Sequence, residues 1–500
     1  MEVFKTIFLL YFLILEKVIP QTCPSSSTTS YGSPLIHDDH TATVGSNGPV
    51  VLEDTEFLDE MSHFDRERIP PRVVHAKGFG ASGYFEVTND ITKYSAAKVF
   101  SQIGKKTPIA VRLSSTLSDQ GIADTIRDVR GFSVKFYTED GIWDLVGNDF
   151  PVFFIRDPRL FPHVIHALKR HPTTNLFNAT TRWDFYTLRP ETAHIVMWLY
   201  SDMGTPYSMR HINGYGVNTF KLVNKSGQHV YCKFHLYSRQ GIKNYSGKEA
   251  AAIQASDLDI YQRDMFNNIA KGNYPSWTMH IQVMTQNQAD TSTFNIFDDT
   301  KVWPEDQYPL IEVGRLTLTK NPINYFEEVE QIAFCPTRMV PGIRPSVDRM
   351  LHGRLYSYTD TQLYRLGANY MQLPINRPCN VQNYQRDGKM TFYSQGGAVN
   401  YHPNSFGGPN ASHWAQSLSS PYFTSGVVGV YDNGDEDNFS QATYFYKHRL
   451  DDAGRNNFIE NVFDELRNAE RFIQKKAIKM FKKIDESLAQ NLATKLNSAK

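Results

Sequence analysis

The stretch GVNTFKLVNKSGQHVYCKFHLY, residues 216–237, contains two runs in which apolar and polar residues alternate. Alternation with a period of two is typical of a β-strand with one buried face. The segment from Asn224 to Gln228 between the runs is rich in turn-forming residues, so the stretch predicts a β-hairpin. Similar runs elsewhere predict a closed or strongly curved antiparallel sheet. They are TPIAVRLS (107–114), GFSVKFYT (131–138), SWTMHIQVM (276–284) and GRLTLT (314–319).

The pattern changes on either side of residue 440. Residues 375–440 are rich in Pro, Asn, Gly, Gln and Ser, and this stretch is too long for an ordinary loop inside a compact domain. We expect it to lie over another surface. Apolar residues recur every three or four positions after 452, which predicts amphipathic helices. The predicted helical core residues are Phe458, Val462, Leu466, Ala469, Ile473, Ala477, Phe481, Ile484, Leu488 and Leu492.

Net charge and cysteine spacing argue against several classes of binding partner and structural site. The chain of 500 residues has a formal net charge of zero and a hydrophobic fraction of 41%. A balanced charge gives no reason to expect nucleic acid or an anionic membrane as partner. The four cysteines, at positions 23, 232, 335 and 379, form no CxxC pair, so neither a disulfide scaffold nor a zinc site is predicted. We expect them to be buried free thiols.

The N-terminal segment indicates export. Lys5 precedes the uncharged run IFLLYFLIL (7–15), and Glu16 ends it. Such a run is too short to span a bilayer and is typical of a secretory signal peptide, here residues 1–20. An uncleaved N-terminal anchor is the alternative. After cleavage we expect no membrane association, because no later segment is long and apolar enough. The chain ends without a peroxisomal tripeptide. Sequons compatible with export occur at Asn178, Asn224, Asn244, Asn410 and Asn438.

Two stretches carry candidate chemistry. FDRERIPPRVVHAKGFGASGYFEVT (64–88) places His75 in an apolar setting flanked by basic residues. GRLYSYTDTQLYRLG (353–367) places Arg354 and Tyr358 four positions apart, on one face of a helix. A guanidinium beside a phenol favours the phenolate, a hard ligand suited to ferric iron. Taken alone, each motif also fits a structural histidine or an ordinary Arg/Tyr surface pair.

Together the two stretches resemble the active-site and haem-ligand signatures of monofunctional haem catalases. The resemblance covers roughly residues 50–485, including the helical tail, and implies a catalase of the small-subunit, secreted animal type. Further matching segments follow in the same order. They are DLVGN (144–148), FFIRDP (153–158), WDFYTLRPE (183–191), HINGYG (211–216), YPSWT (274–278), NYFEEVEQIAF (324–334) and NYQRDG (383–388).

The resemblance implies an α+β protein built on an eight-stranded antiparallel β-barrel. Residues 21–70 would form an N-terminal arm and residues 71–320 the haem-binding barrel domain. Residues 321–440 would hold the haem-ligand helix and the wrapping segment, and residues 441–500 a C-terminal helical domain. The family forms homotetramers with interlocked arms, and we expect the same here.

The resemblance also implies the activity, dismutation of hydrogen peroxide through a ferryl haem intermediate. Tyr358 would be the iron ligand, as in catalase generally, and Arg354 would keep it ionised. His75 would transfer the proton between the peroxide oxygens, while Asn148 positions the peroxide. The remaining haem contacts implied by the family are Arg72, Val74, Arg112, Ser114, Phe161 and Arg365.

Several positions depart from the family pattern. Pro71 replaces a Glu, Leu113 a Phe and Gln362 a His, while Tyr356 replaces a Phe. We expect activity to survive these changes. Asp149 and Phe150 follow Asn148 where smaller or polar residues are usual, which would put a new charge and a new ring close to the peroxide channel.

The surface site at which many members bind NADPH is only partly kept. Met203 stands in place of an Arg, Tyr237 in place of a Lys and Glu305 in place of a His. Loss of two cations beside a 2′-phosphate predicts weak or absent NADPH binding. The matching positions that remain are His194, Ser201, Asn213, His235, Val302 and Trp303.

Two alternatives to an active catalase stay open at this point. One is a haem-binding protein of the same fold with little turnover, which oxygen release from peroxide would exclude. The other is a lyase acting on fatty-acid hydroperoxides, which product analysis would identify. Such lyases are usually shorter and lack the helical tail.

Overall fold

The structure, a computed structural model, describes residues 26–117, 119–432 and 436–498. The predicted signal peptide and Cys23 lie outside the described residues. The chain divides into two compact units, with the boundary between Pro70 and Pro71. None of the described helices combines the length and apolarity needed to cross a membrane.

The N-terminal unit is short and mostly irregular. Isolated β-bridges join Thr28 to Pro34 and Thr43 to Val50. One helix follows, α1 (Thr55–Phe64), and the side chain of Asp54 caps it by accepting a hydrogen bond from the backbone N–H of Phe57. Such a cap satisfies one of the free donors at the helix start.

The second unit is built around one antiparallel sheet of ten strands. Strands β5, β4, β3, β2, β1, β9 and β8 are neighbours in that order, and β7 pairs with both β5 and β8. Eight strands therefore close into a barrel, as predicted, while β6 and β10 extend the sheet beside β7. The strands are β1 (Gly78–Val87), β2 (Lys106–Ser115), β3 (Arg130–Thr138), β4 (Gly141–Asn148), β5 (Gly214–Tyr215), β6 (Phe220–Val223), β7 (His229–Ser238), β8 (Ser276–Met284), β9 (Ile311–Lys320) and β10 (Ile343–Pro345).

Aromatic side chains fill the barrel interior. Trp143 stacks on Phe136 with ring centroids 4.3 Å apart, and it meets the ring of Phe100 edge-on at 5.6 Å. Phe85 of β1 packs edge-on against Phe136 of β3. The four side chains are at most 1% exposed. This burial explains the alternating sequence pattern, since inward positions along each strand must be apolar.

Helices of this unit, among them the C-terminal ones, form a second hydrophobic cluster. All ten predicted core positions of the helical tail are buried, none more than 6% exposed. The α-helices of this unit are α2 (Phe161–Leu168), α3 (Ala179–Leu188), α4 (Ala193–Tyr200), α5 (Gly247–Gln254), α6 (Ile260–Ala270), α7 (Gln286–Asp290), α8 (Arg349–Leu366), α9 (His413–Ser417), α10 (Ser440–Tyr444), α11 (Asp452–Leu466), α12 (Arg471–Ile484) and α13 (Glu486–Ser498).

The segment predicted to wrap another surface has little regular structure. Within residues 377–432 the only helix or strand is α9. Many of its large apolar side chains are exposed, among them Phe423 at 88% and Val427 at 82%. The cysteine prediction is correct for Cys232 and Cys335, which are buried thiols, but wrong for Cys379, which is exposed in this segment.

Candidate active site

A cavity of about 400 Å³ lies between the barrel wall and helix α8. Of the predicted catalytic and haem-contacting residues, all but one line it, and the exception is Arg365. A larger space of about 650 Å³ is lined by residues 337–345 and 411–419 with Leu355, and none of the predicted site residues reaches it. The lining residues that were predicted are Arg72, Val74, His75, Arg112, Ser114, Asn148, Phe161, Arg354 and Tyr358.

His75 is held rigidly in an unusual backbone conformation. Its φ is +66°, a left-handed value that is uncommon for a residue with a side chain. Its backbone N–H donates to the carbonyl of Thr116 at 2.9 Å, and Arg112 donates to its carbonyl at 2.7 Å. Nδ1 shares a hydrogen bond of 3.0 Å with the hydroxyl of Ser114, which leaves Nε2 available to a ligand.

The imidazole of His75 is neutral over a wide pH range. Loss of solvent lowers its pKa to about 3, and the positive charges of Arg112, Arg72 and Arg354 act in the same direction. A neutral imidazole that keeps a free ring nitrogen can accept a proton and return it. The geometry therefore suits a distal acid–base group.

Gly131 makes room for His75, and sequence reasoning did not identify this role. Gly131 pairs with Ser114 on β2 and with Asn148 on β4. A Cβ at Gly131 would lie 2.5 Å from Oγ of Ser114 and 2.6 Å from Nδ1 of His75, far closer than van der Waals contact. A glycine inside a predicted strand was the available signal, because it often marks a close approach.

Helix α8 supplies the phenol. Arg354 and Tyr358 lie one turn apart, and Nη2 of Arg354 donates to the phenol oxygen at 3.1 Å. The same guanidinium donates to the carbonyl of Val146 on β4 at 2.6 Å and to Oδ1 of Asn218. The phenol is thus held beside a fixed positive charge, as predicted from the spacing.

A buried polar network continues behind Arg354, and its members were not predicted. Asn218 donates through Nδ2 to the carboxyl groups of Asp299 and Asp348. Burial and the neighbouring Asp348 raise the pKa of Asp299 well above its usual range. The network fixes Asn218 and, through it, the guanidinium of Arg354.

Arg72 and Arg365 meet beside Glu330. Nη2 of Arg72 donates to the carbonyls of Val329, Glu330 and Ile332 at 2.8–3.2 Å. The Glu330 carboxylate lies 3.8 Å from Nη1 of Arg72 and 3.6 Å from Nη2 of Arg365. Nη1 of Arg72 is buried without a hydrogen-bond partner among the described residues.

These features fit a haem. Nη1 of Arg72 is a buried donor at the cavity edge, near other arginines, and it lacks a hydrogen-bond partner in the described part of the chain. A haem propionate buried there could accept a hydrogen bond from it. The rings of Phe153 and Phe161 stack at 6.3 Å along the wall, and Val74 and Val146 add apolar surface. A flat apolar ligand with two carboxylates and a metal that accepts a phenolate satisfies all of these groups.

The departures from the family pattern affect the cavity less than expected. Asp149 and Phe150 are not among the lining residues, because Asp149 points to Arg130 and Phe150 packs beside Trp198 in the helical core. Burial raises the pKa of Asp149 to about 8, so it adds little charge at neutral pH.

The other substituted positions are accommodated locally. Leu113 is fully buried in the barrel core, Pro71 is exposed, and Tyr356 is 78% exposed at the cavity edge. Gln362 accepts a hydrogen bond from Arg365 at 2.9 Å, and thus fixes one of the predicted propionate contacts.

The candidate NADPH residues are mostly engaged internally. Nδ1 of His194 hydrogen-bonds to the carbonyl of Thr300 and its Nε2 accepts from Trp198, while Ser201 donates to the carbonyl of Trp198. His235 shares a hydrogen bond with Gln282.

The remaining candidates follow the same trend. Trp303 donates to the carbonyl of Ile296, and Gln441 accepts from the backbone N–H of Val302. Asn213 donates to the hydroxyl of Tyr215 and accepts from the backbone of Ser238.

Comparison with known proteins identifies the fold and the family together. A family model described as catalase matches residues 28–408, and one described as catalase-related immune-responsive matches residues 432–496. Catalase of Drosophila melanogaster is 54% identical over 481 residues, 95% of each chain. Catalase of Cavia porcellus is 55% identical and covers 95% of this chain and 90% of its own.

Solved structures agree with these sequence matches. A fungal catalase superposes with a TM-score of 0.92 at 41% identity, covering 95% of this chain and 97% of its own. Catalase A from Saccharomyces cerevisiae has the same score and identity, with 94% and 99% covered. The chain therefore belongs to the catalase family of haem enzymes and decomposes hydrogen peroxide.

Proposed function

We propose that His75, Asn148, Tyr358 and Arg354 carry out peroxide dismutation in the cavity between the barrel wall and helix α8. Tyr358 would ligate the haem iron, and Arg354 would stabilise the phenolate charge through the contact of 3.1 Å. Arg72 and Arg112 in the cavity lining, together with Arg365, would bind the haem propionates. Phe161 and Val74 would pack against the apolar haem ring. When bound, haem iron supplies the electron exchange with peroxide.

The proton transfers fall to His75. In the tautomer whose Nδ1–H donates to Ser114, Nε2 would take the proton from one peroxide oxygen and deliver it to the other. Asn148, at the end of β4, would donate a hydrogen bond that orients the peroxide. The apolar wall around them limits water, which strengthens these interactions.

The neutral, backbone-fixed imidazole of His75 in the same cavity as an arginine-paired phenol is the observation that carries this proposal. The test compares oxygen release from peroxide by the wild type, His75→Ala and Tyr358→Phe, each scored for haem content. Tyr358→Phe should lose the spectrum of phenolate-ligated ferric haem. His75→Ala should keep that spectrum and lose oxygen release. An active His75→Ala variant, or an unchanged Tyr358→Phe spectrum, refutes the assignment. Product analysis with a fatty-acid hydroperoxide distinguishes lyase activity.

A homotetramer is the second part of the proposal. Residues 377–432 leave many apolar side chains exposed, including Phe423 and Val427, which a subunit interface would cover. Light scattering of the purified protein should give about four times the chain mass. A monodisperse monomer at micromolar concentration contradicts the proposal.

Export is the third part, and it rests on the run IFLLYFLIL and its flanks. The structure suggests how to test it. Asn410 is exposed, whereas the asparagines of the other sequons are half-buried. Secreted protein should therefore begin near residue 21 and carry a glycan that Asn410→Gln removes, with Asn438→Gln as the control. Intracellular retention with an intact N-terminus argues against export.

We propose, finally, that NADPH binds weakly or not at all. Tyr237 and Glu305, which stand at two of the family's basic positions, interact with each other at 3.4 Å, and Arg449 lies 3.9 Å from the Glu305 carboxylate. A carboxylate at this place repels a 2′-phosphate and occupies the nearest arginine. Tight, phosphate-dependent binding in a calorimetric titration would refute this.

A further inference from the structure

A group of metal-ligating side chains lies in the N-terminal unit, apart from the catalytic residues. His37, Asp39 and His40 each offer one ligand atom, and these atoms lie within 4.8 Å of one another. The two imidazole rings have centroids 5.6 Å apart. All three residues are exposed in the single chain, which leaves room around them for an ion and further ligands. Two imidazoles and a carboxylate are the donor set of many zinc and copper sites.

The backbone on both sides of this group is fixed. The backbone N–H of Ile36 donates to the carboxylate of Glu56 at 3.1 Å, and that of Ala42 donates to Oδ2 of Asp54 at 2.7 Å. Asp54 also caps helix α1, and these backbone hydrogen bonds lower its pKa. The ligand-bearing residues therefore lie between two anchored amides, which reduces the conformational entropy lost when they converge on an ion.

A further contact orients one of the rings. The carboxylate of Asp39 shares a hydrogen bond with Nδ1 of His40. Carboxylate–imidazole contacts of this kind fix the tautomer and direction of ligating histidines in metal sites. The bond engages Nδ1 of His40, which leaves its Nε2 available as a ligand atom.

We propose that His37, Asp39 and His40 form a binding site for one late first-row divalent ion, Cu²⁺ or Zn²⁺, per chain. The imidazole nitrogens select against Ca²⁺ and Mg²⁺, which prefer oxygen ligands alone. Cu²⁺ binds more tightly than Zn²⁺, as it does at most nitrogen and oxygen sites.

The test is calorimetric titration of the untagged holoenzyme with CuCl₂, ZnCl₂ and CaCl₂. The chain offers matched controls. His63→Ala removes an exposed histidine from α1, outside the group, and Asp38→Asn removes the neighbouring charge without removing a ligand.

We expect one Cu²⁺ or Zn²⁺ per chain and no Ca²⁺. His37→Ala/His40→Ala should weaken binding by at least about 100-fold, and Asp39→Asn by at least about tenfold. Both control variants should bind as the wild type does. The electron paramagnetic resonance spectrum of the Cu²⁺ form should show coupling to two imidazole nitrogens.

Three results would overturn the assignment. They are a wild type that binds no stoichiometric ion, a double variant that binds as tightly as the wild type, and an equal loss of affinity in His63→Ala. The substituted side chains are exposed, so the fold of the variants is not in question.

Discussion

Gly131→Ala is the most direct test of how the barrel positions the distal imidazole. The new Cβ would lie 2.6 Å from Nδ1 of His75 and 2.5 Å from Oγ of Ser114, against an ordinary contact of at least 3.4 Å. The imidazole must therefore move by about 0.8 Å, or the strand must shift. A misplacement of about 1 Å costs on the order of 100-fold in rate, about 2.7 kcal/mol of activation free energy. Overpacking itself costs about 1–3 kcal/mol of stability.

The assay is initial oxygen release per haem, so that loss of cofactor is separated from loss of turnover. Gly131→Ala should keep haem and lose about 100-fold in kcat/KM. Gly121→Ala is the matched control, because a Cβ there meets no atom within 4 Å. Ser114→Ala removes the Nδ1 partner without adding an atom, and it should lower kcat/KM even if Gly131→Ala folds poorly. Full turnover per haem in both variants would refute the steric argument.

Further predictions concern pH, a buried acid and the surface site. Because the pKa of His75 is about 3, kcat/KM should not change between about pH 5 and 9. A fall in kcat/KM below about pH 6.5 would instead show that the imidazole is solvated. Three buried histidines, His75, His194 and His235, have pKa values lowered to about 3–4, so the unfolded chain binds more protons below pH 6.5. Stability should therefore fall as pH drops from 6.5 towards 4, and a Tm constant across that window in calorimetry contradicts this. The pKa of Asp149 is raised to about 8 by burial, above the usual value for a carboxyl group. The contribution of this residue to the free energy of unfolding therefore falls as pH rises from about 4 to 8. Asp149→Asn should raise Tm more at pH 8 than at pH 5, and an equal change at both values argues against a neutral carboxyl. Glu305→Lys combined with Met203→Arg should strengthen NADPH binding at least tenfold, and no gain in a titration would show that the surface charges are not the cause.

Local pattern was enough for the elements and for part of the site. The alternating runs form strands in the structure, and the residues spaced three to four apart after residue 452 form buried helix faces. Arg354 and Tyr358, four positions apart, form a hydrogen bond. These features depend on periods of the chain itself, so the order of residues predicts them. The family resemblance then extended the prediction to residues far apart in sequence.

Asp149 and Phe150 show where such reasoning fails. They follow Asn148 directly, yet they point away from the cavity into contacts with Arg130 and Trp198. Strand β4 ends at Asn148, so the alternation of a strand no longer predicts where the next two side chains point, and tertiary packing decides it.

The sequence by itself determined the strand and helix periods, the phenol–guanidinium pair and, through resemblance, the catalytic residues. Tertiary structure alone decided that Gly131 leaves space for His75, that Asn218 and two buried aspartates hold Arg354, and that Glu330 joins two arginines. These contacts join residues dozens to hundreds of positions apart, and local periodicity carries no information about such pairs. They depend on barrel closure, which sets the strand register and so fixes the positions of these side chains. Closure also excludes water from them, and burial of this kind shifts the pKa values of ionisable groups.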